Sequence, residues 1–489
     1  MKKIGRFTIT GLLGKGGMGR VYKIAYPVTG KIAALKLLAP SSLLASLTPQ
    51  NELEDLFTKE AITMAAIRHP HVVDILDFGR TGDRLYYIMD FFCNNLGTLM
   101  GESFEEDDTR VVPIKKTVAY TTQILKGLVC LHFSGIVHRD IKPANMLITD
   151  LDTIKICDFG LSLQQGEWRK RHGSIRVGSP YYAAPEQEAD PDNVDVTADL
   201  YAVGVVLYKM LTGRLPQKSC SPSSQMNPDL DTSWDRFFAR ALDPDPAGRF
   251  QGADIMCRDL ADLFRAWEAK KEQICSLPPE LEQETVHLPE KAQQSGRGQA
   301  ASGGRKTDSW EKNGKKIHEN GLWHGVSDTI RQLPVRAVPL KIPMKQARDF
   351  FDLDRFMQPR RYGANDFVLS GESLVHDRHT DLLWQQAGTW FPVTWFQAKT
   401  YVEGLNTHLF EGYNTWRLPT IHELLTLAVP LAKGRDHCMS PMFDGEQKWL
   451  WGADKSTFVS AWYLNLEMGF VGRNDYTSFY HVKAVCSVY

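Results

Sequence analysis

From residue 138 to 160 the chain reads HRDIKPANMLITDLDTIKICDFG, and no other stretch restricts its chemistry as much. Asp140 is followed two residues on by Lys142 and five residues on by Asn145. A second carboxylate, Asp158, comes after the apolar Met146, Leu147 and Ile148 and a short strand-forming run ending at Cys157. Phosphoryl transfer asks a protein mainly for positioning and charge neutralisation, with little covalent help. Asp140 can take the proton of an attacking hydroxyl, a role worth about 10²–10⁴-fold. Lys142 can neutralise a moving phosphate, and Asn145 with Asp158 can offer the hard oxygens that Mg²⁺ prefers.

These residues resemble the catalytic loop and metal-binding turn of protein kinases, H-R-D-x-K-x-x-N and D-F-G, with no departure at a chemical position. The resemblance implies an α+β, two-lobed kinase fold, with ATP and Mg²⁺ as cofactors and protein Ser/Thr hydroxyls as substrates. Lys142 marks the serine/threonine branch. Arg139, directly before Asp140, resembles the arginine of kinases switched through the activation segment, where it would pair with a phosphate.

Upstream, GLLGKGGMGRVY reads as strand, glycine turn and second strand. Glycines let backbone N–H groups approach a triphosphate closely. A dinucleotide-binding turn would open a helix, whereas VYKIAY is β-prone. The stretch resembles the flap of bacterial serine/threonine kinases, which implies that Leu13, Gly14, Lys15, Gly16, Gly17, Met18, Gly19 and Val21, with Ala34 on the next strand, surround ATP. Lys36 emerges from a strand apolar on both faces, and a buried ammonium is costly unless paired. Glu60 lies on the apolar stripe of a helix with Leu53, Phe57 and Met64, where a merely solvated carboxylate would not. By resemblance this pair holds the α- and β-phosphates; a lysine snorkelling to the surface is the plain alternative. Met89 matches the gatekeeper, and the backbone at Asp90 and Phe91 matches the adenine-binding hinge. The connection from 39 to 52 is long for the family.

After Asp158 come a basic run, WRKRH at 168–172, then Gly178-Ser179-Pro180, and Ala184-Pro185-Glu186. The resemblance pairs Glu186 with Arg249 as a brace, makes Asp199 the support of the catalytic loop, and puts Ser179 in hydrogen-bond reach of Asp140 and Lys142. Between 161 and 186 there is no Thr. Ser174, flanked by Arg169, Lys170, Arg171 and Arg176, is the expected regulatory phosphosite, with Arg139 as its partner. The rival is a basic cluster that docks an acidic partner without phosphate. The acidic GESFEEDD before residue 109 reads as a solvated run.

With 489 residues, two to four domains are expected. A net charge of −1 argues neither way about nucleic acid, and no such partner is expected. Eight cysteines without a C-x-x-C pair suit a reducing, cytoplasmic setting. The N-terminus lacks the apolar segment of a signal peptide, and the run from Leu200 to Leu207 is too short for a membrane span. The expected division is a kinase domain at 1–267 (small lobe 1–92, large lobe 93–267), a mostly flexible linker at 268–365, and a C-terminal module at 366–489. Within the linker, the apolar Ile330, Leu333, Phe350, Phe351 and Phe356 predict partial order over 317–365.

In that last quarter stand seven of the twelve Trp. SLVHDRHTDLLWQQ and SAWYLNLEMGF alternate as strands, a helix begins at Thr394, and WRLPTIHELLTL is a turn into a second helix with Thr420 and Glu423 as a capping box. These pieces resemble the Lcl C-terminal domain family, which implies a small α+β, C-type-lectin-like fold. Members often pair a helix cysteine with one in the final strand; here the helix position is Val402 while Cys486 remains. The related formylglycine-oxidase fold needs a metal-binding cysteine pair, for which Cys438 and Cys486 stand, although two buried structural thiols explain them better. Aromatic core is the simpler role of the Trp residues, a ligand platform the other. The module is expected to sense or dock a ligand or protein partner. The rival for the whole chain is a nucleotide-binding pseudokinase scaffold.

Overall fold

The computed structural model describes residues 2–103, 108–158, 163–164, 181–191, 193–216, 221–275, 335–430 and 438–487. The fold is α+β. Six antiparallel strands form the first sheet, in the spatial order Lys3–Ile4, Phe7–Lys15, Gly19–Ala25, Ile32–Leu38, Arg84–Met89 and Ile75–Thr81. Successive side chains of a strand take opposite faces. Phe7, Ile24, Ala33, Leu35, Leu37 and Ile88 therefore gather into one apolar cluster, and Ala34 and Lys36 point the other way. Helix Gln50–Ala65 buries Leu53, Phe57, Glu60, Ala61 and Met64, a stripe at helical spacing. The long connection before it holds a short helix, Ser42–Leu47, whose Ser41 hydroxyl accepts from Leu44 N. The start of that connection also ties down the glycine turn, because Ser41 N donates to Gly17 O at 2.8 Å and Ala39 N to Met18 O at 3.2 Å.

The second lobe is built on helices Ile114–Phe133 and Val196–Thr212. The latter is buried at every position except Val196 and Tyr201, as its apolar sequence predicts. Gly204 makes this crossing close, since a Cβ there would stand 3.0 Å from that of Ala241 on helix Thr232–Ala241. Between the lobes, strands Met146–Ile148 and Ile154–Ile156 form an antiparallel hairpin, and Asn94–Asn95 pairs with its first strand. Among the described residues no helix is long and apolar enough to cross a membrane.

The C-terminal part is β-rich, with two sheets of its own. One orders Phe367–Ser370, Leu374–Asp377, Leu382–Gln385 and Val485–Ser487; the other Trp449–Lys455, Ser460–Asn465 and Phe470–Asp475. Helices Trp395–Thr407 and Ile421–Leu427 each start with a capping box, from Thr394 with Gln397 and from Thr420 with Glu423. Trp384, Trp395, Trp451 and Trp462 are buried, whereas Trp390 is exposed. Cys438 and Cys486 are buried free thiols. Burial pushes their pKa up, to about 12 and about 11, so they behave as small apolar groups.

The stretch from 335 to 365, expected to be partly ordered within the linker, is built into the C-terminal core. Ile342, Ala347, Phe351, Leu353 and Met357 lie in one apolar cluster with Trp384, Trp462, Leu464 and Val485. Trp462 Nε1 donates to Ile342 O at 2.9 Å, and Ile342 N donates to Lys455 O at 2.8 Å. Its only helix, Met344–Phe350, has seven residues, too few for a legible apolar stripe. Met1–Arg265 and Gln332–Tyr489 together make up one unit of the chain, and Ala266–Arg331 the other. Of the second unit only the end of helix Ala253–Cys275 is described.

Candidate active site

Lys36 sits mid-strand, opposite Val21 on one neighbour and Tyr87 on the other. Its Nζ is 2.7 Å from Glu60 Oε1 and 2.8 Å from Asp158 Oδ1. Tyr87 OH donates to the same Glu60 oxygen at 3.0 Å. Burial works against the ammonium, yet Asp158, Tyr87 and Glu60 outweigh it and hold its pKa well above the usual lysine value. Lys36 in turn is the main cause of a lowered Asp158 pKa, against the effect of burial. Lys36 and Glu60 are buried, whereas the Asp158 side chain is 48% exposed.

Asp140 lies on the loop between strand Ile136–Val137 and the short helical turn Pro143–Asn145. Lys142 Nζ is 2.7 Å from Asp140 Oδ2, and Asn145 Nδ2 donates to the same oxygen at 3.0 Å and to Asp140 O at 2.8 Å. Arg139 and Asp158 both have left-handed backbones, with φ of 64° and 66°. Such conformations cost a non-glycine residue about 1–3 kcal/mol and persist where surroundings enforce them. Asp199 does so at Arg139. Its carboxylate accepts His138 N and Arg139 N, each at 2.8 Å, and lies 2.9 Å from His132 Nε2.

Burial raises the Asp199 pKa, but the bond and charge of His132, with His138, lower it more, so the net shift is downward. A carboxyl whose folded pKa is depressed stabilises the fold above its unfolded pKa, about 3.9, and loses that contribution as pH falls through the folded value. Asp199→Asn is therefore expected to weaken the fold at pH 7 by about 1–3 kcal/mol. The variant should also lose stability less steeply than the parent below pH 4. Urea unfolding between pH 3 and 7 checks both.

The hairpin that separates Asn145 from Asp158 also joins them. Met146 pairs with Ile156, and Cys157 N donates to Asn145 O at 3.0 Å. With its amide nitrogen committed to Asp140, Asn145 keeps its carbonyl oxygen for a cation. Among the described residues no group of three or more His, Cys, Asp or Glu could hold a metal. A divalent cation there would find two oxygen donors, the side-chain carbonyl of Asn145 and the Asp158 carboxylate. The all-oxygen donor pair fits.

Over the site, Gly16 N donates to Gly19 O at 2.9 Å to close the glycine turn. A Cβ at Gly14 or Gly17 would meet nothing within 4 Å, leaving the space a phosphate needs, whereas at Gly19 it would strike Leu37 O at 2.5 Å. Leu13 and Lys15 end the strand that leads into this turn, and Met18 lies in it; Leu13 is exposed. Ala34 pairs with Met89, both buried, and leads to the hinge at Asp90 and Phe91.

The expected brace is present: Arg249 NH1 and NH2 meet the two Glu186 oxygens at 2.6 and 2.8 Å. Arg139, expected to meet a phosphate, donates here to Pro191 O and Val194 O, each at 3.1 Å. Ser174 and Ser179 lie outside the described residues, as do Phe159 and Gly160. One connection escaped the sequence. Glu102, read as part of a solvated acidic run, pairs with Lys209 Nζ at 2.8 Å and bonds Tyr182 OH, three residues before Pro185. The available signal was Lys209 itself, a cation inside a helix apolar nearly all round.

Residues 7–249 match the protein kinase domain family, and residues 373–486 match the Lcl C-terminal domain family. A probable serine/threonine-protein kinase of Clostridium perfringens is 30% identical over 272 residues, 53% of this chain and 38% of that protein. The serine/threonine-protein kinase PrkC of Bacillus subtilis is 30% identical over 278 residues, 54% of this chain and 41% of that one. Pkn1 of Myxococcus xanthus, also a serine/threonine-protein kinase, is 33% identical over 267 residues, 51% and 37% of the two chains. The chain thus spans less than half the length of these relatives, and the likeness lies in the kinase portion.

Proposed function

We propose that the chain is a serine/threonine protein kinase which moves the γ-phosphate of ATP to a protein hydroxyl. The observation that carries this reading is the assembled charge set: Lys36 bonded at once to Glu60 and Asp158, with Asp140 bonded to Lys142 and Asn145. Glu60 and Tyr87 hold Lys36 where it can meet the α- and β-phosphates. Asp140 receives the proton of the substrate hydroxyl as its oxygen bonds to the γ-phosphorus. The bond from that phosphorus to the β–γ bridging oxygen breaks, and ADP leaves. Lys142 neutralises charge on the phosphoryl group in flight. A divalent cation, which we take to be Mg²⁺, would be held by Asn145 and Asp158 and would neutralise the phosphate oxygens. Residues 13–19, Val21, Ala34 and the 89–91 hinge would enclose the nucleotide.

We read residues 1–267 as the kinase domain. The C-terminal module, with the core residues from Ile342 included, begins near 335. Its two small sheets and two capped helices support a C-type-lectin-like, sensing or docking role. The test is incubation of the full chain with ATP, Mg²⁺ and a mixed protein substrate, followed by mass spectrometry. Phosphate on Ser and Thr is expected. ATP bound without transfer to any protein would overturn the enzyme reading in favour of a nucleotide-binding scaffold.

A further inference from the structure

Three cations of the kinase portion, Lys23, Arg110 and Lys116, are almost completely buried, at 5–6% exposure. A buried charge needs a partner, and for each of these the C-terminal part supplies one. Lys23 Nζ is 2.9 Å from Asp475 Oδ1 and donates to Thr477 Oγ1 at 2.6 Å. Lys116 Nζ is 2.5 Å from Glu467 Oε2 and 2.8 Å from Asp152 Oδ2, and Lys448 lies 3.6 Å from both of those carboxylates. Arg110 NH1 donates to Phe356 O at 2.8 Å, and its guanidinium lies 3.8 Å from the Phe470 ring centroid.

These contacts converge on the hinge. Lys23 lies opposite Ala34 in the sheet, so it shares the nucleotide-side face with Val21, Ala34 and Lys36. Its ammonium also stands 4.9 Å from the ring of Phe91, a hinge residue. Three residues on, Asn94 donates to Tyr480 OH at 2.8 Å and accepts from Asn474 Nδ2 at 3.0 Å. Asn94 in turn pairs with Ile148, on the strand that leaves Asn145. On the module side the turn is rigid, since Asp475 Oδ1 accepts both Thr477 N at 3.0 Å and Thr477 Oγ1 at 2.9 Å. One turn, 474–480, therefore holds the small lobe at Lys23 and the hinge at Asn94, while Glu467 holds the large lobe at Lys116.

We propose that the partner of the C-terminal module is the kinase hinge of its own chain, and that the seated module is a brace which fixes the lobes in the nucleotide-accepting arrangement. The direction follows from what coexists with it: with the module seated, Lys36 reaches both Glu60 and Asp158. A seat that held the lobes in a displaced arrangement would leave that set apart. Hinge motion is absorbed by a few residues at element ends, and 90–93, between strands Arg84–Met89 and Asn94–Asn95, are those residues here. Unseating the module frees them, and nucleotide must then select one arrangement from several, which weakens its apparent affinity.

The nucleotide part rests on the kinase reading, and hydrogen exchange keeps the two separable. In the full chain, Asp475→Lys and Glu467→Lys each set like charges together at the seat. Each should speed amide exchange across 88–95 and raise the Kd of a non-hydrolysable ATP analogue, by about tenfold for about 1.4 kcal/mol of lost coupling. Exchange in Ser460–Asn465, inside the module core, should stay as in the parent. Adding Lys23→Glu to Asp475→Lys should restore the parent rate of hinge exchange, even if the single variant also loosens the module. Unchanged hinge exchange in both single variants overturns the seating. Faster hinge exchange with unchanged or tighter nucleotide binding overturns the brace. A parent chain that binds the analogue but transfers no phosphate contradicts the enzyme reading and leaves both of those measurements decisive.

Discussion

Asp140→Asn is expected to lower the phosphotransfer rate by about 10²–10⁴-fold while leaving the fold intact. The amide has nearly the same shape, and its oxygen can still accept from Lys142 and Asn145, which now bond Asp140 Oδ2. Only the ability to take a proton is lost. Lys36→Met is expected to abolish activity by another route. It leaves Glu60 and Asp158, both within 2.8 Å of the present ammonium, without the cation that separates them. Asp158 should then rise toward an ordinary carboxyl pKa, because Lys36 is the main cause of its depression. Single-turnover kinetics together with thermal melting separate the cases. Undiminished transfer in Asp140→Asn would remove that residue from the role of base. A normal melt with lost transfer is the expected pattern for it, whereas Lys36→Met should also weaken analogue binding.

Phe351→Ala should destabilise the C-terminal core by about 3–5 kcal/mol, the range for deleting a buried aromatic ring. Phe351 is 2% exposed and meets Trp462 edge-on, with centroids 5.6 Å apart. It also touches His422 and Phe350, so several rings would line the cavity. The effect is large because the ring is packed into one buried cluster with Ile342, Leu353 and Met357 of its own stretch and with Trp384 and Trp462. Urea unfolding of the full chain, followed through Trp fluorescence and through hydrogen exchange in Ser460–Asn465, measures it. A change below about 1 kcal/mol would mean that this stretch lies on the core without being part of it.

Local chemistry made much of the site legible beforehand. The offsets among Asp140, Lys142, Asn145 and Asp158 lie within one hairpin and its flanks; the first three bond to one another, and Cys157 N ties the start of the Asp158 turn to Asn145 O. Strand alternation put Lys36 on one face, and helical spacing put Glu60 on the buried stripe, so the two could be paired across 24 residues. The capping box at Thr420 was equally readable, because its partners stand three residues apart. Glu102 was not readable, since an acidic run looks solvated until Lys209, 107 residues away, is brought against it. The stretch around Phe351 was readable as partly ordered but not as core, since its apolar residues are too sparse for a periodic signal and acquire a core only from Trp384 and Trp462.

The seat of the module lay furthest from view. Lys23 meets Thr477 across 454 residues, Asn94 meets Tyr480 across 386, and Lys116 meets Glu467 across 351. Each of these side chains is ordinary in its own neighbourhood. A carboxylate in a turn and a lysine on a strand satisfy every local rule as solvated surface groups. The sequence by itself determined the candidate groups and the elements that carry them, because their offsets are set by the pitch of strands, helices and hairpins. The tertiary structure alone decided which surfaces those elements share, because a buried charge at Lys23 becomes affordable only once a distant Asp475 is folded against it.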